Sequence, residues 1–185
     1  MYPFGLKWKP WMKDFRFGTL VLIPSKEIQE TVDLLRRKYD TASSKTSMAH
    51  ITLTQPLNGP LAINDLSKIE KIIRSFKKFD TALGPAISSP NKKLIWLDVS
   101  SKEPLLALRQ TLHATSLFRT DLPLTKDFIP HMTISELARE PEDVRGINIE
   151  LNTKYKIWQT TFSSVSWIIP DEEFVFKEHR SFCLK

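Results

Sequence analysis

The sequence predicts an α+β fold built of two related lobes, and three observations carry that prediction. First, a five-residue pattern occurs twice, as His50-Ile51-Thr52-Leu53-Thr54 and His131-Met132-Thr133-Ile134-Ser135. Strict alternation of apolar and hydroxyl side chains marks a β-strand, whose residues point to opposite faces with period two. Second, each copy is preceded by an apolar strand and an amphipathic helix in the same order. Third, the spacing repeats: Ser25 and Ser101, which start the two helices, are 76 residues apart, and His50 and His131 are 81 apart.

In the first half, Gly18-Thr19-Leu20-Val21-Leu22-Ile23 reads as a buried strand, and Ser25-Lys26-Glu27 opens a helix whose apolar stripe is Ile28, Val32, Leu35 and Tyr39. A polar loop over 41–47 leads to the His50 strand. A second helix carries Leu66, Ile69, Ile72, Ile73 and Phe76 on its buried side and Lys68, Lys71, Arg74, Lys77 and Lys78 on or beside its solvated side. In the second half, Leu94-Ile95-Trp96-Leu97-Asp98-Val99 is a strand, and Ser101-Lys102-Glu103-Pro104 starts a leucine-rich helix with proline in its first turn. A longer polar loop over 119–127 leads to the His131 strand and accounts for the larger second spacing. Further strands are expected over 162–169 and 174–184. No linker or low-complexity segment separates the halves, so the lobes are expected to pack against each other.

Composition bounds function without choosing it. A chain of 185 residues fits one domain or two packed lobes and buries about 70% of its unfolded surface, enough for an ordinary core. The single Cys183 excludes an internal disulfide framework and a cysteine metal cluster, and suits a reducing cytoplasm. Residues 1–17 mix Lys7, Lys9, Lys13 and Arg16 with Trp8, Pro10 and Trp11, unlike a signal peptide, and nothing resembles a membrane span. A soluble cytoplasmic monomer is expected. Residues 1–93 carry 16 Lys and Arg against 8 Asp and Glu, whereas residues 94–185 carry 11 against 13. The electropositive first half would attract a polyanion such as RNA, although lysines on an amphipathic helix usually only solvate it.

Each motif strand presents an imidazole with a hydroxyl two residues along, roughly 6–7 Å away at ~3.3 Å rise per residue. All four histidines have Ser or Thr two positions later, so context must separate them. His113 lies on the leucine-rich helix, where residues two apart do not face each other. His179 shares a strand face with Ser181 and Cys183, but Arg180 breaks the apolar half of the pattern. His50 and His131 therefore form the candidate pair. An imidazole serves as base or acid at neutral pH, and breaking a phosphodiester at a ribose needs one group to activate the nucleophile and another to protonate the leaving oxygen. Thr52 and Thr133 would donate hydrogen bonds to the non-bridging oxygens in the pentacoordinate transition state. Neither histidine has carboxylate or cysteine neighbours at ligand spacing, so no metal and no cofactor is expected. Trp96 and Phe128 are read as core, and Trp8 and Trp11 as tying the N-terminal segment onto the domain. Lys45 and Lys126 sit in the loops before the motifs, where they could approach a phosphate.

Ala49-His50-Ile51-Thr52-Leu53, Phe128-Ile129-Pro130-His131-Met132-Thr133-Ile134 and the strand Leu94-Ile95-Trp96-Leu97 resemble the two-histidine phosphoesterases, specifically the 2'-5' RNA ligase and cyclic phosphodiesterase family. The resemblance covers most of the chain. It implies a single bilobal domain over 1–185, with pseudo-symmetric, intertwined lobes (cores about 18–93 and 94–185), each giving an antiparallel sheet to a central cleft with helices outside. It implies a catalytic tetrad of His50, Thr52, His131 and Thr133, acting without a metal on 2',3'-cyclic phosphates or 2',5' linkages of RNA or nucleotides. In family members close to the RNA ligases an arginine follows the second motif and binds phosphate. Arg139 stands at that place, a little late and behind Glu136.

Three functions remain open on the sequence: a phosphodiesterase that opens 2',3'-cyclic phosphates at RNA ends or in nucleotides, with 2'-5' RNA ligase activity that also runs in reverse; the same active site serving 2',5'-oligoadenylate or another small nucleotide; and a non-catalytic RNA-binding module. Retention of both histidines and both threonines argues against the last.

Overall fold

Alternating burial along the central strands divides the molecule into two faces. A computed structural model of the chain describes residues 8–89, 94–123, 125–136, 141–155 and 157–185. Eight antiparallel strands form one sheet in the order β6-β3-β4-β5-β2-β1-β7-β8. The strands are β1 (Thr19–Leu22), β2 (Ile51–Thr52), β3 (Phe79–Ser88), β4 (Ile95–Val99), β5 (His131–Ser135), β6 (Trp158–Phe162), β7 (Ser164–Pro170) and β8 (Phe176–Cys183). Four helices accompany them: α1 (Lys26–Tyr39), α2 (Ile63–Ser75), α3 (Lys102–His113) and α4 (Pro141–Lys154).

Leu20 and Leu22 of β1, Ile51 of β2, Ile95, Leu97 and Val99 of β4, and Met132 and Ile134 of β5 are all buried in one cluster. The stripes of the four helices join that same cluster: Ile28, Val32, Leu35 and Tyr39 from α1, Ile69 and Ile73 from α2, Leu105, Leu108 and Leu112 from α3, and Val144, Ile147 and Leu151 from α4. The helices therefore cover the aliphatic face, as their 3.6-residue periodicity requires, and the sheet's other face is left for the polar members of the alternating strands.

The run 162–169, expected as one strand, divides at Ser163 into β6 and β7. Those two strands have five others between them in the sheet order, yet one residue joins them. At about 4.8 Å per strand such a step is impossible in a flat sheet, so the sheet curls and brings its two sides together. Backbone bonds from Leu184 to Ser163 and between Lys78 and Lys185 seal this junction. The strands of the two chain halves are interleaved: β3 lies between β4 and β6, and β1 between β2 and β7. Gly18 precedes β1 at φ +82°, and a Cβ there would meet the carbonyl oxygen of Ile168 and the Trp167 indole, so only glycine fits this approach.

Trp8 and Trp11 dock on the ring of Phe174 at 5.3 Å each, and Trp8 Nε1 donates to the Glu172 carbonyl. This contact ties the N-terminal segment to the β7–β8 connection, as the sequence suggested. No helix among the described residues is long and apolar enough to cross a membrane.

Candidate functional site

The two motif strands are neighbours. β2 and β5 are antiparallel with Ile51 opposite Met132, both fully buried on the helix-covered face. Continuing that register places His50 across from Thr133 and Thr52 across from His131, all on the other face. Directly opposed residues have Cβ atoms about 4.5–5.5 Å apart, so the four side chains form a compact quadrilateral. Flanking strands extend it: β1 sets Val21 beside Thr52, and β4 sets Asp98 beside His131 and Trp96 beside Thr133. All four candidate residues are half-buried, close to solvent yet firmly held.

The two imidazoles are oriented in the same way. His50 Nδ1 lies 2.7 Å from the Met48 carbonyl oxygen and His131 Nδ1 lies 2.6 Å from that of Ile129, each two residues upstream. A carbonyl only accepts, so Nδ1 carries the proton in both rings and Nε2 is the nitrogen left for chemistry. Burial pushes the His50 imidazole down to about 4, and the charges of Arg36 and His131 act in the same direction. His50 is therefore neutral at pH 7, with an Nε2 lone pair able to accept a proton.

The hydroxyls divide in a way the motif alone does not reveal. Among the described residues, neither Thr52 nor Thr133 spends its hydroxyl on a hydrogen bond, whereas the last hydroxyl of each motif is structural. Thr54 Oγ1 accepts from the Leu20 amide at 3.1 Å and pairs with Thr19 Oγ1, and Ser135 Oγ donates to the Tyr39 carbonyl. His113 is structural too, its Nε2 accepting from the Gln55 amide at 3.1 Å. His179 packs edge-on against Trp167 on β8, three strands from β2.

Trp96 departs from the expectation of a core residue. It is half-buried on the tetrad face, with its ring 5.8 Å from that of His131 and a buried Nε1 that has no hydrogen-bond partner among the described residues. Phe128 does pack against the core, beneath the Arg109 guanidinium at 3.8 Å. Lys45 and Lys126 are exposed in their loops. Arg139 lies outside the described residues. Helix α2, with Lys71 and Arg74, sits on the helix-covered side: Arg180, which shares the face of Phe182 on β8, bonds Glu70 at 2.9 Å, and Glu70 also holds Arg74. Among the described residues no group of three or more His, Cys, Asp or Glu is placed to hold a metal ion. A cavity of about 530 Å³ between α4 and β3–β4, lined in part by Leu97, Leu151 and Trp158, opens on the helix side and takes in none of the four residues.

What sequence reasoning missed is the polar framework behind the motifs, contributed by α1 and α3. Asp33 accepts from the Ala49 amide at 2.7 Å, directly before His50, and Asp40 accepts from the Glu136 amide at 2.7 Å, directly after the second motif. Arg36 donates to the Thr133 carbonyl, and Arg109 to the Leu53 carbonyl. Asp40, Arg36 and Arg109 are almost fully buried. Helix periodicity could have flagged Arg36 and Arg109 as adjoining the apolar stripes, but not their partners.

Comparison with known proteins gives the family and the fold. A family model described as the 2'-5' RNA ligase superfamily matches residues 24–167. A putative phosphoesterase of Bacillus pumilus is 27% identical over 136 residues, covering 69% of this chain and 75% of that protein. A putative phosphoesterase of Staphylococcus saprophyticus is 28% identical over 163 residues, covering 83% and 90%. Among solved structures, E. coli LigT complexed with 3'-AMP aligns with a TM-score of 0.56 at 14% identity over 90% of this chain and 96% of LigT. A Thermus thermophilus protein aligns with a TM-score of 0.58 at 13% identity over 89% and 96%. These structural likenesses bear out the two-histidine phosphoesterase fold.

Proposed function

This chain belongs to the 2'-5' RNA ligase superfamily of phosphoesterases, and from that premise we propose that it is a metal-independent phosphodiesterase that hydrolyses 2',3'-cyclic phosphates of RNA ends or nucleotides. The observation that carries the proposal is the pairing of the two motifs on one sheet face, with both Nδ1 atoms committed to carbonyls and both Nε2 atoms available.

In the proposed reaction, the neutral His50 takes a proton from water as the water oxygen bonds to phosphorus. Thr52 and Thr133, whose hydroxyls are unspent among the described residues, donate to the non-bridging oxygens, which gain negative charge in the pentacoordinate transition state. The bond from phosphorus to one ribose oxygen then breaks, and the protonated imidazole of His131 supplies the proton that makes it a hydroxyl. The products are a phosphomonoester and a free ribose hydroxyl. With a 5'-hydroxyl in place of water as the attacking oxygen, and the bond from phosphorus to the 3' oxygen breaking, the same steps form a 2',5' linkage; run backwards, they cleave one. The half-buried Trp96 beside His131 provides an apolar flank for the ribose or base.

A second reading keeps the chemistry and assigns a small nucleotide, such as 2',5'-oligoadenylate. It is favoured by the placement of α2, which puts the basic helix on the opposite face from the tetrad, and by the 3'-AMP bound in LigT. Incubating the pure protein with 2',3'-cyclic nucleotides, 2',5'-oligoadenylate and RNA ending in a cyclic phosphate, each with and without EDTA, tests both readings. Turnover of a cyclic substrate in EDTA is expected. Turnover of none, or turnover abolished by EDTA and restored by added metal, overturns the proposal.

A further inference from the structure

Two buried arginines behind the motifs, one from each half of the chain, make comparable contacts. Arg36, on α1 of the first half, reaches Ser47, three residues before His50, with one Nη donating to its carbonyl at 3.1 Å and to its hydroxyl at 3.3 Å; the same nitrogen donates to the Ser43 carbonyl at 3.1 Å. Its other Nη donates to the carbonyl of Thr133, two residues after His131, at 3.3 Å. Arg109, on α3 of the second half, stacks over Phe128, three residues before His131, at 3.8 Å, and donates to the carbonyl of Leu53, three residues after His50, at 2.7 Å. Each guanidinium therefore spans from the segment entering one histidine to the strand leaving the other. The pattern is crossed, although the two arginines stand at different positions on their helices.

Burying a guanidinium is unfavourable. Asp33 lies 3.9 Å from the Arg36 Nε, a distance too long for a strong ion pair, and that Nε makes no hydrogen bond among the described residues. Among the described residues no carboxylate pairs with Arg109. Neither arginine is therefore held by a strong ion pair. What only a guanidinium supplies is a rigid planar fork: that of Arg36 bonds the backbone of both segments, and that of Arg109 bonds the backbone of one and stacks on the Phe128 ring of the other. The β2–β5 ladder is short, with a single paired position, so it cannot by itself hold His50 against Thr133 and Thr52 against His131.

We propose that Arg36 and Arg109 are positioning residues: a crossed pair of arginine clamps that fixes the separation of the two histidines across the β2–β5 junction. The proposal rests on the phosphodiesterase reading for its catalytic consequence and on geometry alone for its structural one. A misplacement of about 1 Å between reacting groups lowers turnover by roughly 10²-fold, which sets the scale.

The test uses Arg36→Lys, Arg36→Met, Arg109→Lys and Arg109→Met in the full chain, with steady-state kinetics on a 2',3'-cyclic nucleotide, thermal melts, and nitrogen NMR of the histidine rings. The methionine variants are expected to lower kcat by roughly 10- to 100-fold with KM within about twofold. The lysine variants, which keep the charge and one donor, are expected to recover part of that loss. The ring signals of His50 should change in the Arg36 variants and those of His131 in the Arg109 variants. A lowered melting temperature with kcat unchanged would show a merely structural role and overturn the proposal. If the methionine variants do not fold, the lysine variants decide between the same two outcomes. If the wild-type protein turns over none of the substrates, the functional reading fails and the ring signals judge the clamp: altered signals uphold it, and unchanged signals in all four variants overturn it.

Discussion

At the residue scale the two hydroxyls of each motif differ in what they are free to do. Thr52→Ala or Thr133→Ala is expected to lower turnover up to about 10²–10³-fold, the range for losing one donor to developing oxyanion charge, with little effect on folding. Thr54→Ala should do the reverse, because Thr54 Oγ1 satisfies the buried Leu20 amide; leaving that donor unpaired costs about 1–3 kcal/mol. Turnover assays beside denaturant melts check both. His50 adds a pH dependence whose sign follows from its environment. Its folded-state pKa of about 4 lies below the ordinary histidine value of about 6.5, so between those pH values the unfolded chain binds more protons than the native one. Stability from this group is present above about pH 6.5 and is lost as pH falls toward 4. His113, also pushed down to about 4 by burial, acts in the same sense. Denaturant midpoints should fall from pH 7 to pH 4.5, and by less in a His50→Gln, His113→Gln double variant; an equal fall in both proteins would assign the acid sensitivity elsewhere. The histidines and threonines were legible in the sequence because duplicated alternation reports directly on which side chains share a strand face. Arg36 and Arg109 were not, since an arginine beside a helix stripe reads the same whether it meets solvent or a distant carbonyl.

At the element scale, the strands whose alternation is unambiguous were legible, and those with apolar residues of both parities were not. In β4, Ile95, Leu97 and Val99 form the buried set, but Leu94 and Trp96 are apolar too, so only the sheet partner decides which side faces the core; Trp96 was misplaced for that reason. The division at Ser163 was equally hidden, because nothing local says that β6 pairs with β3 while β7 pairs with β1. Ile51, fully buried opposite Met132 at the junction of the motif strands, offers a direct check on the junction. Ile51→Ala is expected to destabilise by about 2–5 kcal/mol, read as a shift of the denaturant midpoint. The basic helix α2 gives a second check. Charge reversal at Lys71, Arg74 and Lys78 should leave hydrolysis of a 2',3'-cyclic mononucleotide unchanged. It should also leave the salt dependence of RNA binding unchanged, since α2 covers the face away from the tetrad. A slope shallower by about 0.7 for each phosphate released from the protein would restore the helix to a polynucleotide path.

At the scale of the whole molecule, a duplicated strand-helix-strand order folds into one curled sheet whose centre is the junction of its two motif strands. The helices of each half brace the motif of the other: α1 and the Asp40 that caps it bond Thr133 and Glu136, while α3 bonds Leu53 and Gln55. The bilobal α+β class was legible from the repeat. The single sheet was not, because strand pairing between halves is non-local and leaves no mark on either half's sequence. Central to the proposed chemistry is that His50 and His131 act as a pair, one accepting and one delivering a proton. Turnover of a 2',3'-cyclic nucleotide by folded His50→Ala and His131→Ala variants tests it most directly. Each is expected to lose about 10²–10⁴-fold, and wild-type turnover in either variant would contradict the claim.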